Sequence, residues 1–193
     1  VIMLGAFLLP FLINRKVKQA YLVFLPSVGL IILILTSIGI FGSIPAYPGA
    51  LHKLRIPFLH YTLELGRIDK MSMVFAYVYV VIGIAMLIFA LREKNDWEHV
   101  SALIHIGSSV SAIFARDFFT YVFFVEIATW SAVFLIWFRG TKTSKASGFR
   151  YFFWHILAGG FLLAGSIIHV QTTGSIDLDL MPWGWDWSYI AYY

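Results

Sequence analysis

The sequence predicts an all-α integral membrane protein with about six transmembrane helices. Of its 193 residues, 60% are hydrophobic and only 12% are charged, whereas an ordinary soluble domain carries about 25% charged residues. The apolar residues gather in long runs, and several runs approach the roughly 20 residues that a helix needs to cross the hydrocarbon core. Aromatic residues make up 18% of the chain, which suits a membrane protein with Trp and Tyr anchors at the interfaces.

Six apolar segments follow one another along the chain, and we expect them to form a single membrane domain covering residues 1–193. They lie at about residues 2–13, 20–42, 72–91, 99–115, 118–138 and 149–170. The first is short for a span, so it is either a tilted, partial segment or one whose start is missing. Pro10 and Pro26 lie inside apolar runs, where neighbouring helices of a bundle can satisfy the freed backbone groups.

The basic residues indicate the orientation of the helices. The loops after the first, third and fifth segments carry nine Lys and Arg residues, and the loops on the other side carry five. Because cytoplasmic loops are enriched in Lys and Arg, we expect the nine on the cytoplasmic side and both termini outside. The net charge of +4 lies in these short loops, so it indicates membrane topology and not a surface for nucleic acid.

Two regions between and after the apolar segments carry patterns of their own. The outer loop, residues 43–71, contains the stretch 60–65, in which polar and apolar residues alternate loosely. This alternation predicts a short strand or hairpin. The tail, residues 177–193, is rich in Trp and Tyr, which predicts an aromatic belt at the membrane interface. A platform for a quinone is the alternative interpretation of this tail.

Glu126 is a carboxylate well inside an apolar run. It lies eight residues after Phe118, which at about 1.5 Å per residue puts it about 12 Å into the fifth segment. An ionised carboxylate in hydrocarbon costs about 2.5–3.5 kcal/mol on insertion scales, and this side chain is too short to reach the headgroups. Glu126 therefore needs a partner, a proton or a wet cavity, and each of these indicates a place in an ion pathway.

Two histidines also lie within apolar segments. His105 is about midway along the fourth segment and His155 is near the start of the sixth. Both are candidate proton relays, because a His side chain gains or loses a proton near neutral pH. A neutral His bonded between two helices is the alternative for each. The chain has no cysteine and no paired-histidine or glycine-rich motif, so we expect no catalytic site, no metal and no bound cofactor.

The stretch that leads to Glu126 resembles the fifth helix of the antiporter-like membrane subunits. This family is shared by respiratory complex I, the membrane-bound hydrogenases and sulfane reductases, and the Mrp cation/proton antiporters. The residues that match its pattern in order are Asp117, Phe118, Phe119, Phe123, Phe124 and Glu126. Asp69 and Ser72 are similar to the entry to the family's third helix. Arg150 and the later pair Gly159 and Gly160 are similar to its sixth helix.

The resemblance implies a fold, a partner and a location. It implies that the chain corresponds to the N-terminal part of a fourteen-helix subunit. In that family the residue matching Glu126 pairs with a lysine on the seventh helix, a position beyond Tyr193. We therefore expect other membrane subunits as partners, one of which supplies a buried Lys opposite Glu126. We expect the complex in a prokaryotic cell membrane rather than in the mitochondrial inner membrane.

Three functions are consistent with these observations. The first is an ion-translocating subunit, moving protons or exchanging Na⁺ for H⁺, with Glu126 in the ion pathway. This subunit would carry no catalytic chemistry and would belong to a redox-driven oxidoreductase complex. The second is a structural or assembly subunit that keeps the fold without conducting ions. The third is a membrane anchor for a quinone or haem, since His105 and His155 could present imidazoles at matching depths.

Overall fold

A computed structural model describes residues 2–38, 53–56, 61–64, 66 and 68–178 of the chain. It contains six α-helices, a 3₁₀ turn and a two-stranded sheet within that part of the chain. The helices are α1 (Ile2–Ala6), α2 (Arg15–Ser37), α3 (Lys70–Ala90), α4 (Asp96–Ile113), α5 (Phe118–Phe138) and α6 (Lys142–Thr173). The strands are β1 (Lys53–Ile56) and β2 (Tyr61–Glu64).

The predicted all-α membrane architecture is confirmed, with differences in the length of its helices. Within the described ranges, the helices α2, α3, α5 and α6 are long and apolar enough to cross a membrane. The fourth segment forms a helix of 18 residues that begins with Asp96 and Glu98. The first segment forms only a short helix, because α1 ends at Ala6 and a 3₁₀ turn with Pro10 near its start follows at Leu9–Phe11.

Helix α4 is the centre of the bundle although it is not among the four described helices that are apolar enough to cross a membrane. It packs against α1, α3 and α5, and eight of its residues are buried. Its small residues allow this packing: a Cβ added at Gly107 would lie 2.6 Å from the backbone nitrogen of Met3 on α1. The polar side chains of α4 therefore face other helices, where hydrogen bonds can satisfy them.

Each long helix begins at a polar cap that the sequence provides. Asp69 accepts a hydrogen bond from the Ser72 amide at the start of α3, at 2.7 Å. Asp117 accepts hydrogen bonds from both the amide and the hydroxyl of Thr120 at the start of α5, at 2.7 and 2.8 Å. Thr141 caps α6 in the same way through the Ser144 amide. These side chains satisfy amides that a helix start leaves without a partner.

The sixth helix begins earlier than predicted. We predicted it from residue 149, with the preceding basic residues in a loop, but α6 begins at Lys142 and runs for 32 residues. The connection from α5 is therefore only residues 139–141, and Gly140 supplies its positive φ of 71°. The apolar run predicted only the apolar part of α6, because the first turns of this helix are polar.

The predicted outer loop contains a hairpin, and its second strand lies within the stretch 60–65 for which a strand or hairpin was predicted. Strand β1 pairs antiparallel with β2, with Lys53 opposite Glu64 and Ile56 opposite Tyr61. Residues 43–52, 57–60, 65 and 67 of the predicted loop lie outside the described residues. The predicted aromatic tail lies outside them from residue 179 onward, as do residues 39–42 of the second predicted segment.

The loop between α3 and α4 is attached to the start of α2. Lys18 forms an ion pair with Asp96. The Gln19 side-chain amide donates a hydrogen bond to the Leu91 carbonyl at 3.0 Å, and Arg15 donates one to the Arg92 carbonyl at 3.4 Å. These bonds place the first turns of α2 and α4 at the same end of the bundle.

Candidate functional site

Glu126 lies at the contact between α5 and α6, and its side chain is half-buried. A Cβ added at Gly159 of α6 would lie 2.6 Å from Glu126 Oε1. The carboxylate therefore occupies the space that a side chain at Gly159 would fill. Within the described residues, no hydrogen bond or ion pair reaches this carboxylate. An acid within a membrane span thus rests against a glycine, with no charge from the described residues beside it.

Next to this contact, α3, α4, α5 and α6 line an open cavity of about 430 Å³, which we name the central cleft. Its floor and walls are mostly apolar, with polar side chains contributed by all four helices. These polar side chains are Tyr79, His105, Ser109, Tyr121, Thr129, Tyr151 and His155. The two histidines that the sequence singled out therefore line one cavity.

His105 is bonded to two neighbouring helices. Its Nδ1 lies 2.9 Å from the Ala128 carbonyl oxygen of α5, and its Nε2 lies 3.3 Å from the Tyr79 hydroxyl of α3. A carbonyl oxygen only accepts hydrogen bonds, so Nδ1 is the nitrogen that carries the proton. In the neutral side chain, Nε2 then accepts the hydrogen bond that Tyr79 donates.

His155 has a different environment. It is half-buried and stacks on Tyr151, one turn earlier on α6, with ring centroids 5.6 Å apart and an angle of 27° between the rings. Within the described part of the chain, no hydrogen bond holds its ring nitrogens. His155 is therefore available to a water molecule or a further side chain in the central cleft.

Glu126 does not share the cavity of the histidines. Its chain neighbours Val125 and Thr129 line the central cleft, whereas Glu126 points to the α6 side of α5. The residues thus form two neighbouring places, a carboxylate between α5 and α6 and a pair of histidines in the cleft. All three residues are recognisable in the sequence as polar groups within apolar segments, but their separation by α5 is not.

Tyr79, which bonds His105, was not predicted as a site residue. A signal was present, because Tyr79 lies in the middle of the apolar third segment and a buried Tyr hydroxyl usually has a partner. The identity of that partner depends on how α3 and α4 pack side by side. Spacing along the chain contains no information on that packing.

Comparisons with known proteins show the fold. No protein-family model matches this chain, and no curated protein sequence matches it. It is similar to a membrane subunit in the structure of the membrane-bound sulfane sulfur reductase, an archaeal respiratory membrane complex, with a TM-score of 0.74 and 19% identity over 91% of this chain and 37% of that one. It is also similar to a membrane subunit of respiratory complex I from Thermus thermophilus with bound aureothin, with a TM-score of 0.73 and 18% identity over 95% of this chain and 38% of that one.

These matches agree with the resemblance that the sequence showed. At 18–19% identity they establish the fold and not the chemistry. The chain spans less than two fifths of the length of either matched subunit. Over nearly all of its length, it therefore has the fold of a part of the membrane subunits of these two respiratory complexes.

Proposed function

We propose that this chain is an ion-translocating membrane subunit of a respiratory or Mrp-type complex, with Glu126 in the ion pathway. The observation that carries the proposal is the carboxylate of Glu126, which lies within α5 with no charged partner among the described residues. The fold likeness to membrane subunits of two respiratory complexes supports it. The redox chemistry would belong to other subunits of the complex.

A cation supplied by a neighbouring subunit would complete the site around Glu126, and we expect it to be a Lys side chain. An acid within a span is stabilised by a partner of opposite charge. Movement of that cation toward and away from Glu126 would couple a charge outside this chain to the ion pathway through α5.

Replacement of the carboxylate tests this proposal. In the assembled complex, Glu126→Gln keeps the shape of the side chain and removes its charge, so we expect assembly to persist and ion pumping to fall by about tenfold or more. Proton and Na⁺ uptake by inverted membrane vesicles, measured with ion-sensitive dyes, would give the rate and identify the ion. Glu93→Gln is the matched control, because Glu93 is an exposed acid in the loop before α4.

Pumping by Glu126→Gln at the rate of the unaltered complex would refute the ion-pathway assignment. The structural-subunit function would then replace it. The haem-anchor function is disfavoured by the contacts of His105, because both of its ring nitrogens are occupied by neighbouring helices. An absorbance spectrum of the purified complex gives an independent check, since a Soret band assigned to this chain would restore that function.

A further inference from the structure

Two cavities of this chain share one pair of side chains. Besides the central cleft, a second cavity of about 340 Å³ lies mainly between α3 and α4, and we name it the α3–α4 cavity. Tyr79 and His105 line both cavities. The Tyr79 hydroxyl lies 3.3 Å from His105 Nε2, so a hydrogen bond lies at the boundary between the two cavities.

The two cavities extend from this pair in opposite directions along α4. On α4, Glu98 and Ala102 line the α3–α4 cavity, whereas Ser109 and Ile113 line the central cleft. Glu98 and Ile113 are 15 residues apart, which is about 22 Å at about 1.5 Å per residue and most of the roughly 30 Å hydrocarbon core. His105 lies near the middle of this distance.

The residues of α3 also line the two cavities separately, on either side of Tyr79. Its later residues Met86 and Ala90 line the α3–α4 cavity, and its earlier residue Phe75 lines the central cleft. Tyr79 is the α3 residue bonded to His105. Helices α3 and α4 are joined by a short loop and run in opposite directions. On both helices, the lining therefore changes from one cavity to the other at the level of the Tyr79–His105 pair.

The far end of the α3–α4 cavity contains a buried ring nitrogen that needs a donor. His99 is only 5% exposed, and its Nε2 lies 3.3 Å from the Glu93 carbonyl oxygen, so Nε2 donates and Nδ1 is an acceptor. Within the described residues, His99 Nδ1 has no hydrogen-bond partner. A water molecule in the cavity would supply the donor, and the cavity is many times larger than the about 30 Å³ that one water occupies in the liquid.

The central cleft presents further groups that can hold water or exchange protons. Tyr121 of α5, Tyr151 and His155 of α6, and Ser109 of α4 all line it. The titratable groups that line the α3–α4 cavity, apart from the shared pair, are Glu98 and His99. Along α4 and α5, His105 therefore lies between Ser109 and Tyr121 in one direction and Glu98 and His99 in the other. Tyr151 and His155 lie at about the depth of the Tyr79–His105 pair, since α6 packs antiparallel to α5 with Phe152 against Trp130 and Gly159 against Glu126.

We propose that Tyr79 and His105 form a gated proton-transfer site between the α3–α4 cavity and the central cleft. This proposal rests on the proposed ion-translocating function and gives it a second place of proton transfer within the chain, apart from Glu126. In the closed state, the Tyr79 hydroxyl covers His105 Nε2. Rotation of the Tyr79 side chain exposes Nε2 to water in one of the cavities.

The transfer needs one bond to form and the same bond to break. A hydronium ion in one cavity gives its proton to Nε2, which forms an N–H bond and leaves a water molecule behind. The imidazolium keeps its Nδ1 proton on the Ala128 carbonyl, so the ring stays in place. Water in the other cavity then takes the Nε2 proton, and Tyr79 donates its hydrogen bond to Nε2 again. One proton crosses the pair, and no other bond changes.

Thiol labelling from each side of the membrane tests whether the two cavities are reached from opposite sides. The chain has no cysteine of its own, so single substitutions in the assembled complex report on this chain alone. We expect Ala102→Cys to react with a membrane-impermeant maleimide only from the side of the α4 start. We expect Ser109→Cys to react only from the opposite side. Val81→Cys is the control, because Val81 is 52% exposed on the outside of α3 and should react from neither side.

Removal of the Tyr79 side chain should connect the two cavities, so that each is reached from both sides of the membrane. With Tyr79→Ala added, both cysteines should react from both sides, whereas Tyr77→Ala should leave the labelling unchanged, because Tyr77 bonds the Leu33 carbonyl outside both cavities. Labelling of both positions from one side only, or of neither, would overturn the proposal. If Tyr79→Ala prevents assembly, the sidedness in the complex with Tyr79 intact still decides the question.

This test is independent of the pumping test on Glu126. If Glu126→Gln stops pumping but the two cysteines react from the same side, the gate fails and the proposed function stands. If the cysteines react from opposite sides but Glu126→Gln pumps normally, the two cavities exist without the proposed ion pathway through Glu126.

Discussion

The absence of a side chain at Gly159 determines where the Glu126 carboxylate can lie. A Cβ there would approach Glu126 Oε1 to 2.6 Å, well inside normal contact distance. The atom in its way is the end of a flexible side chain and not helix backbone, so the carboxylate can move aside. A larger residue at 159 should therefore displace the charge without separating α5 from α6.

We predict that Gly159→Ala leaves the complex assembled and lowers ion pumping, though by less than Glu126→Gln does, because the carboxylate is displaced and not removed. Vesicle uptake assays would measure the difference. Gly160→Ala is the matched control, since a Cβ at Gly160 meets nothing within 4 Å among the described residues. That control should pump normally. Equal effects of the two substitutions would contradict the role of Gly159.

Residue types alone revealed part of this arrangement. The depth of Glu126 in an apolar run predicted an unusual environment, and the glycines of the sixth segment were consistent with close packing of helices. The pairing of Glu126 with Gly159, and of His105 with Tyr79, depends on the rotation of each helix about its axis. Side chains far apart in the sequence fix that rotation jointly, so no local pattern predicts it.

For the helices, polar capping residues mark the first residue more accurately than the start of an apolar run does. The predicted bounds of α5, residues 118–138, agree with the structure, because Asp117 stands where the apolar run also begins. The start of α6 was missed because its cap, Thr141, precedes a polar turn that contains Lys142 and Lys145. A search for capping residues followed three positions later by Ser or Thr would have found it.

The contribution of an N-cap to stability can be measured at Asp117, which caps α5 and is fully buried. We predict that Asp117→Ala lowers the thermal stability of the complex, with a loss in the range of about 0.5–2 kcal/mol that is typical of a lost N-cap. Asp117→Asn should lose less, since Asn caps about as well as Asp. Differential scanning of the purified complex would compare the two. An equal loss in both variants would show that the charge of Asp117, and not its cap, is what stabilises α5.

For the molecule as a whole, the length and basic first turns of α6 indicate how the bundle is oriented in the membrane. Its 32 residues extend about 48 Å at about 1.5 Å per residue, more than the roughly 30 Å hydrocarbon core. Its first turns carry Lys142, Lys145 and Arg150. Because basic residues favour the cytoplasmic side, we expect this end of α6 there, together with the start of α4.

Labelling at the two ends of α6 would test that orientation. Thr143 and Gln171 are both exposed and lie about 42 Å apart along the helix axis. We predict that Thr143→Cys reacts from the cytoplasmic side and that Gln171→Cys reacts from the outside. The reverse pattern would invert the whole topology, including the positions predicted for both termini.

The central position of α4 has a consequence for the synthesis of the chain. On its own, α4 is a poor membrane segment, since its first turn carries Asp96 and Glu98 and it is not among the described helices that are apolar enough to cross a membrane. Short connections, residues 91–95 and 114–117, join it to the apolar helices α3 and α5. We expect the insertion machinery to hold α3 until α4 and α5 have emerged, so that the three helices enter the bilayer together.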